Sequence, residues 1–147
     1  MYISEITKSD FELFWPVFKQ IVLAQETYAI EPDIDFEFAY KLWCLSPQKA
    51  FIIKDDKLIL GTYYIKANAA GPSSHICNCG YMVNPKSRGK GLARKLCIHS
   101  QELALGLGYK AMQFNSVVST NEVAIELWKK LGYKIIGTIP RAFKHKK

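Results

Sequence analysis

The chain has 147 residues, of which 49% are hydrophobic and 22% are charged, proportions typical of a folded globular protein. This length suits one domain, residues 1–147, and is too short for two ordinary ones. No stretch approaches the roughly 20 apolar residues needed to cross a bilayer. The N-terminus lacks the basic and apolar segments of a secretion signal. We therefore expect a cytoplasmic protein with no membrane partner.

The formal net charge of +7 arises from 20 basic and 13 acidic residues. Such an excess suits nucleic acid, an anionic cofactor or solubility alone. The basic residues gather at residues 141–147 and are otherwise scattered along the chain. A dispersed bias favours the cofactor or solubility interpretation over a duplex-binding face, so we expect no nucleic-acid partner.

The sequence has four cysteines: Cys44, Cys77, Cys79 and Cys97. With His75 and His99 nearby in sequence, a metal site is conceivable. The spacing, however, is not the paired C-x(2–4)-C or H-x(3–5)-H pattern of structural zinc. We therefore expect no metal, and favour free, partly buried thiols in a reducing compartment.

The N-terminal half is predicted to begin with a strand at residues 1–7 and a helix from Asp10, a plausible N-cap. Apolar residues from Phe11 to Val22 recur at helical spacing. A second helix is predicted at residues 36–45, after a loop at residues 27–35. Three strands follow, at residues 50–53, 57–66 and 75–83.

The C-terminal half alternates helices and strands. A helix is predicted at residues 91–107, a strand at 111–118, a helix at 121–131 and a last strand at 133–139. Strands that first form a meander and then alternate with helices predict an α/β domain with a mixed sheet.

The segment between the strand at 75–83 and the next helix is suited to an anion. After Pro85 it contains six consecutive residues of interest: Arg88, Gly89, Lys90, Gly91, Leu92 and Ala93. Two glycines let the backbone approach a ligand closely. Free N–H groups and the helix dipole add positive potential, which suits a pyrophosphate. Taken alone, the same residues also fit a turn with solvated basic side chains.

Three stretches resemble the Gcn5-related N-acetyltransferases. Arg88-x-x-Gly91-x-Ala93 matches the family pattern Q/R-x-x-G-x-G/A, at the start of a helix that follows a strand. Two further elements are in register: Asn121-x-x-Ala124-x-x-Leu127-Trp128 and Leu131-Gly132-Tyr133. A closer similarity is to the fungal acetyltransferases that act on the proline analogue azetidine-2-carboxylate. It rests on these residues: 61–66, Ser74-His75, Cys77-Asn78, Gly80, Phe114-Asn115, Thr120-Asn121 and, less specifically, Thr27-Tyr28.

The resemblance implies a mixed, mostly antiparallel sheet flanked by helices, with acetyl-CoA as co-substrate. It implies that Met82 and Val83 run along the pantetheine arm, and that residues 88–93 hold the pyrophosphate. Asn121 and Trp128 belong to the same cofactor-binding set. The acceptor amine enters from the opposite side and attacks the thioester directly.

The proton-transfer residues of the family are not evident in this chain. Asn78 and Asn115 stand in the strands where a general base is usual, and an amide is not a base near neutral pH. Trp128 occupies the place of the family's general acid, a tyrosine. We therefore expect a water relay, with His75 as another possible base, and solvent, Tyr81 or Tyr133 as the acid.

Asn78 and Asn115 are accordingly our candidate catalytic residues, orienting the acceptor rather than transferring protons. The alternative is that each is a core amide bonded to backbone. Tyr28 and Tyr40 are candidate substrate residues that could wall a small pocket, although both could equally be ordinary core or surface aromatics.

Two expectations concern the edge of the sheet and the acceptor. We expect the chain to lack the last strand of the family, and an exposed edge would favour a homodimer. The expected acceptor is a small-molecule amine, such as an amino acid or analogue. The alternatives are a protein N-terminus or lysine as acceptor, and a non-catalytic CoA-binding module.

Overall fold

The structure, a computed structural model, describes residues 1–146 and contains one five-stranded sheet in the order β1-β2-β3-β4-β5. The strands are β1 (Tyr2–Glu5), β2 (Lys49–Asp55), β3 (Leu58–Ala67), β4 (Ile76–Val83) and β5 (Ala111–Met112). The helices are α1 (Lys8–Ala24), α2 (Phe36–Tyr40), α3 (Leu92–Gly106) and α4 (Glu122–Lys130). A π-helical turn, Lys41–Leu45, continues α2.

The first four strands pair antiparallel, and β5 joins β4 in parallel. The sheet is therefore mixed and mostly antiparallel, which confirms the predicted fold class. Helical layers cover both of its faces. The N-terminal helices pack on one face, which we call the α1 face, and α3 packs on the other, which we call the α3 face.

The α1 face has an aromatic core, because α1 presents phenylalanines at helical spacing toward the sheet. Its largest fully buried side chains include Phe11, Phe14, Phe18 and Trp43. On the α3 face, Leu92 and Leu96 of the helix pack over Tyr63 and Ile65 of β3. Since side chains alternate along a strand, each of β3 and β4 contributes to both cores.

Helix α1 begins earlier than predicted, because Thr7 rather than Asp10 is its N-cap. The Asp10 N–H donates to Thr7 Oγ1 at 3.1 Å, and the Thr7 N–H donates to Asp10 Oδ2 at 2.9 Å. This capping box satisfies two N–H groups of the first turn. Asp10 also pairs with Lys54 of β2 at 2.7 Å, which ties the start of the helix to the sheet.

Two strand predictions near the C-terminus were wrong. The strand predicted at 111–118 is limited to Ala111–Met112, and residues 133–139 have no regular secondary structure. A β pattern forms a strand only beside a partner strand that takes its backbone hydrogen bonds. Without one, three isoleucines are left largely exposed: Ile135, Ile136 and Ile139. The homodimer expected for this edge stays a prediction.

All four cysteines are free thiols, and three of them are buried. Residues 1–146 contain no cluster of three His, Cys, Asp or Glu side chains arranged to hold a metal ion. Within the same residues, no helix has the length and apolarity required to span a membrane.

Asp10→Asn should lower the free energy of unfolding by about 1 to 3 kcal/mol at pH 7, the scale of a hydrogen bond to a charged group. Burial raises the pKa of Asp10, but hydrogen bonds from Lys54 and Thr7 outweigh it and hold the pKa below its usual value. Because the folded-state pKa is lowered, the carboxylate contributes its full stabilisation at pH values above the unfolded-state pKa of about 3.9. This stabilisation is lost as the pH falls through the folded-state pKa.

The measurement is urea unfolding of the parent and the variant between pH 7 and pH 3. The difference between them should be constant down to about pH 4 and then shrink. Glu12→Gln, on the exposed side of the same helix, removes an equal charge and should have little effect. An Asp10→Asn variant as stable as the parent at pH 7 would contradict the assignment.

Candidate active site

Residues 84–91, which we call the anion loop, lie between β4 and α3 and are held by a buried asparagine. Asn84 Oδ1 accepts a hydrogen bond from the Lys86 N–H at 3.0 Å, which closes the short 3-10 turn Pro85–Ser87. The Asn84 N–H donates to the Leu60 carbonyl at 2.8 Å, so the loop is anchored to β3. This anchor sets where the chain leaves the sheet.

Both glycines of the loop have left-handed backbone conformations, with φ of +81° at Gly89 and +71° at Gly91. Other residues rarely adopt these angles. A Cβ added at either position would meet nothing within 4 Å, so the space in front of the backbone is open. Gly91 is the N-cap of α3, and the first N–H groups of that helix have no intrahelical acceptor. The arrangement fits an anion, as the sequence indicated.

The edge of β4 facing β5 is largely open. β5 ends at Met112, which is paired with Cys77, and the Gln113 N–H then donates to the Cys77 carbonyl at 2.8 Å. In residues 1–146 no strand pairs with this edge beyond Cys77. Because backbone groups alternate in direction along a strand, three later residues point the same way as Cys77: Cys79, Tyr81 and Val83. This row of backbone groups runs toward the anion loop.

Tyr28 reaches this open edge from the loop after α1. Its hydroxyl donates a hydrogen bond to the Tyr81 carbonyl, and its ring packs edge-on against Trp43 with centroids 5.9 Å apart. Burial raises the pKa of Tyr28 well above its usual value, so the phenol stays neutral. The predicted substrate residue therefore lies beside the backbone that the cofactor arm was predicted to follow.

The two candidate catalytic asparagines are connected through Gln113. Asn78 Nδ2 donates to the Gln113 carbonyl at 2.9 Å, and Gln113 Nε2 donates to Asn115 Oδ1 at 3.0 Å. Asn115 Nδ2 in turn donates to Asn68 Oδ1 at 2.7 Å. Asn78 is buried on the α1 face, whereas Asn115 is exposed. The chain of amides spans the point where β4 and β5 separate.

Trp128 lies on the other side of this separation, in an aromatic cluster on the α3 face. Its ring centroid is 4.8 Å from that of Phe114 and 5.3 Å from that of Tyr81. The Tyr133 ring stacks on Phe114 at 4.5 Å. α4 is positioned by Asn121, whose Oδ1 accepts from the Ala124 N–H at 3.4 Å. Trp128 thus borders the opening, and Asn121 caps the helix that carries it.

The two tyrosines considered as general acids have engaged hydroxyls. Tyr81 Oη lies 2.6 Å from Ser100 Oγ, and Tyr133 Oη accepts from Gln101 Nε2 at 3.1 Å. Burial raises the pKa of both phenols. Both hydroxyls are held among residues of α3 and β5. His75, the possible base, is exposed and precedes β4.

Two other predicted residues lie away from the open edge. Tyr40 stacks on Phe36 and contacts Phe11, within the layer formed by α1 and α2. Met82 pairs with Thr62 of β3 and buries its side chain in the α1-face core. Val83, next along the chain, has its backbone at the open edge.

The sequence analysis missed the pairing of Gly80 with Tyr64. They are opposite each other in the β3–β4 register, and a Cβ on Gly80 would lie 2.4 Å from Tyr64 Cε2. The Tyr64 ring therefore lies directly against the β4 backbone. A glycine inside a strand pattern signals such a close approach, but the register that identifies its partner is a tertiary property.

Comparison with known proteins identifies the class. The sequence model of the acetyltransferase (GNAT) family matches residues 9–133. A GCN5-related N-acetyltransferase from Kribbella flavida is 37% identical, with a TM-score of 0.92, and the match covers 99% of this chain and 89% of that one. The chain therefore belongs to the acetyltransferase (GNAT) family, and the predicted resemblance is confirmed.

Two further relatives carry more specific names. N-acetyltransferase aca1 of Schizosaccharomyces pombe is 42% identical over 84 residues, which are 57% of this chain and 40% of aca1. YncA of Salmonella typhimurium, whose structure contains its cofactor acetyl-CoA, has a TM-score of 0.84 at 19% identity, covering 98% of this chain and 85% of YncA. The chain spans less than half the length of the curated relatives it matches.

Gly80→Ala should destabilise the protein by about 1 to 3 kcal/mol, because the new methyl group forces the Tyr64 ring away from β4. The ring has little room to move, since Trp43 packs edge-on against it at 4.8 Å. Thermal unfolding measures the effect. Gly106→Ala, in α3 with open space around it, is the matched control and should be neutral or stabilising. Equal melting temperatures for the two variants would contradict the packing described.

Proposed function

We propose that this chain is an acetyl-CoA-dependent N-acetyltransferase that acetylates a small-molecule amine, an amino acid or analogue, by direct attack in a ternary complex. The observation that carries the proposal is the open edge of β4 leading to the anion loop. The edge of β4 offers free backbone groups to an extended amide-containing arm, and the anion loop offers N–H groups and positive charge to a pyrophosphate. Together they match two consecutive parts of a CoA molecule, the pantetheine arm and the pyrophosphate.

The residues present fit this cofactor. Residues 88–93 hold the pyrophosphate through the N–H groups at the start of α3, and Arg88 and Lys90 add charge. The Tyr81 N–H and the backbone groups of Val83 are offered to the pantetheine arm, and Trp128 borders the opening. Acetyl-CoA supplies the activated acetyl thioester. Support also comes from the family itself, and from the name N-acetyltransferase carried by the fission-yeast relative.

The acceptor occupies the α1 face of the same opening. The half-buried Tyr28 and the buried Asn78 are polar side chains there, and Asn115 is joined to Asn78 through Gln113. These groups hydrogen-bond and orient the acceptor. Orientation of two bound reactants is by itself a large source of rate acceleration. Neutral amides and phenols suit this role, because they bind without competing for the proton of the amine.

Protons pass to and from solvent. The amine loses its proton to water before or during attack on the thioester carbon. The carbon–sulfur bond then breaks, and the thiolate takes a proton from water. Indole offers no acidic group at Trp128, and the hydroxyls of Tyr81 and Tyr133 are already bonded within the α3 face. The exposed Asn115 end of the amide chain is compatible with this exchange.

Isothermal titration with acetyl-CoA tests the cofactor site. Arg88→Ala should weaken binding about tenfold, and the loss should shrink at high salt because charge attraction to phosphate is screened. Lys110→Ala removes one exposed positive charge beside His75, at the opposite end of β4 from the anion loop, and should leave the affinity unchanged. If the parent does not bind acetyl-CoA, the proposed function is wrong.

A thiol-release assay tests the acceptor side, using amino acids, polyamines and peptides as candidate amines. Asn78→Ala should reduce turnover at least about tenfold, the scale of losing one orienting hydrogen bond in the transition state, while acetyl-CoA affinity is kept. An unchanged rate would show that Asn78 does not orient the acceptor. Acetylation of peptides alone would favour a protein acceptor, and binding without any turnover would favour a CoA-binding module.

A further inference from the structure

Residues 113–118 stay unpaired although an open strand edge lies beside them. The sequence predicts a strand at residues 111–118, and the later part of β4 offers it free backbone groups. Pairing nevertheless stops at Met112, opposite Cys77, in the part of the chain that the structure describes. An open edge is a ready template for pairing with a β-forming segment. Some interaction must therefore hold this segment off β4.

A continued parallel ladder would follow a fixed order of hydrogen bonds. The Gln113 N–H already donates to the Cys77 carbonyl at 2.8 Å, so the next bond would join the Cys79 N–H to the Gln113 carbonyl. A later bond would join the Tyr81 N–H to the Asn115 carbonyl. The proposed function gives the Tyr81 N–H to the pantetheine arm. Pairing of this segment with β4 and binding of the arm therefore exclude each other.

The buried amide of Asn78 occupies the first of these positions. Its Nδ2 donates to the Gln113 carbonyl at 2.9 Å, whereas the ladder between β4 and β5 ends at Cys77. A carbonyl oxygen has two lone pairs, so this bond competes with the Cys79 N–H without excluding it. Exclusion of the paired arrangement requires a second contact.

The second contact joins Asn115 to Asn68, a residue on the far side of β4. Asn115 Nδ2 donates to Asn68 Oδ1 at 2.7 Å. Asn68 follows β3, and its N–H donates to the Ile76 carbonyl at 2.8 Å, so it lies beside the first residue of β4. Gln113 Nε2 also donates to Asn115 Oδ1 at 3.0 Å, which fixes the Asn115 side chain. Asn115 is therefore held near the beginning of β4.

The contact between Asn68 and Asn115 is incompatible with a continued ladder. In such a ladder Asn115 would lie opposite Gly80, four residues along β4 from Ile76. Four residues of a strand extend about 13 Å, and the two asparagines would lie about 10 Å apart across the strands, so their Cα atoms would be roughly 16 Å apart. Two asparagine side chains joined by a hydrogen bond span at most about 10 Å. Asn115 therefore cannot pair with Gly80 while it is bonded to Asn68.

We propose that Asn68 is a positioning residue that keeps the acetyl-CoA groove open, because its bond to Asn115 holds residues 113–115 off the edge of β4. The role rests on the proposed acetyltransferase function, which gives this edge to the cofactor arm. Asn68 acts through Asn115 and touches neither reactant. Its effect on β4 is present in the free protein, before any cofactor binds.

Tyr28 blocks the same edge further along β4. Its hydroxyl donates to the Tyr81 carbonyl, the group that would accept a bond from the Val117 N–H in a continued ladder. Pairing is thus opposed at two separate points, by Asn68 near the beginning of the edge and by Tyr28 in its middle. Asn78→Ala leaves both contacts in place, which agrees with the unchanged acetyl-CoA affinity expected for that variant.

Amide hydrogen exchange of the free protein, followed by NMR, measures whether the edge of β4 is open. In the parent, the Cys79 and Tyr81 amides should exchange faster than the Gly80 amide, which faces β3. Asn68→Ala should slow exchange at Cys79 and Tyr81 about three- to tenfold, the shift that one lost hydrogen bond makes in an equilibrium between open and paired forms. A merely structural loss would instead speed exchange, because it loosens the protein. The sign of the change separates the two roles.

Isothermal titration with acetyl-CoA gives the matching binding readout. Asn68→Ala should weaken binding by the same factor by which exchange slows, because both depend on the fraction of molecules with an open edge. Asn68→Asp keeps an acceptor oxygen for Asn115 and should bring both values close to those of the parent. Ser73→Ala, at an exposed position in the same connection between β3 and β4, is the control and should change neither.

Unchanged or faster exchange at Cys79 and Tyr81 in Asn68→Ala would overturn the inference, and so would an unchanged acetyl-CoA affinity. Neither result would affect the proposed function, which depends on binding and turnover by the parent. A parent that binds no acetyl-CoA would overturn the proposed function, while the exchange rates would still decide whether Asn68 holds the edge of β4 open.

Discussion

Pairing between β4 and β5 stops after Cys77 and Met112, and the rest of the site depends on this interruption. A strand inside a sheet has its backbone groups occupied on both sides, which leaves nothing for a ligand. Here β4 is held by β3 along its whole length and by β5 only at its beginning. The rest of β4 is therefore held by β3 on one side and pairs with no strand of residues 1–146 on the other, where the Tyr81 carbonyl accepts from Tyr28. A long amide-containing ligand can then bind as if it were the next strand.

The same interruption divides the surroundings into two chemical environments. On the α3 face, the rings of Tyr81, Phe114, Trp128 and Tyr133 fill the space between β4 and α4, and the hydroxyls of Tyr81 and Tyr133 are bonded to neighbouring protein groups. On the α1 face, the phenols of Tyr28 and Tyr64 approach the strand, and the amides of Asn78 and Gln113 bridge the gap. The anion loop adjoins the end of β4. One opening thus offers hydrophobic walls on one side and hydrogen-bond donors on the other.

The rigidity of the α1 face comes from packing that is remote from the opening. Trp43 belongs to a π-helical turn, a rare element that is often found near functional sites. Trp43 donates a hydrogen bond to the buried Thr62, and its ring packs against the rings of Tyr64 and Tyr28. These two phenols are therefore held in place relative to β3. Gly80 completes the arrangement, because only a residue without a side chain lets the Tyr64 ring lie against β4. Positioning of this kind suits a reaction in which protons pass to solvent and the protein mainly aligns two reactants.

The sequence by itself determined the family, the anion loop and most helices and strands, because these are local patterns. The glycines at 89 and 91 and the apolar spacing of α1 and α3 are both local patterns that extend over a few residues. It did not determine where strands end, because a strand exists only where a partner takes its hydrogen bonds. Residues 133–139 have a β pattern but no partner strand among residues 1–146, so they are not a strand. The register that places Lys66 opposite Asn78 and Tyr64 opposite Gly80 was likewise decided only by the tertiary structure, since it joins residues 12 and 16 positions apart.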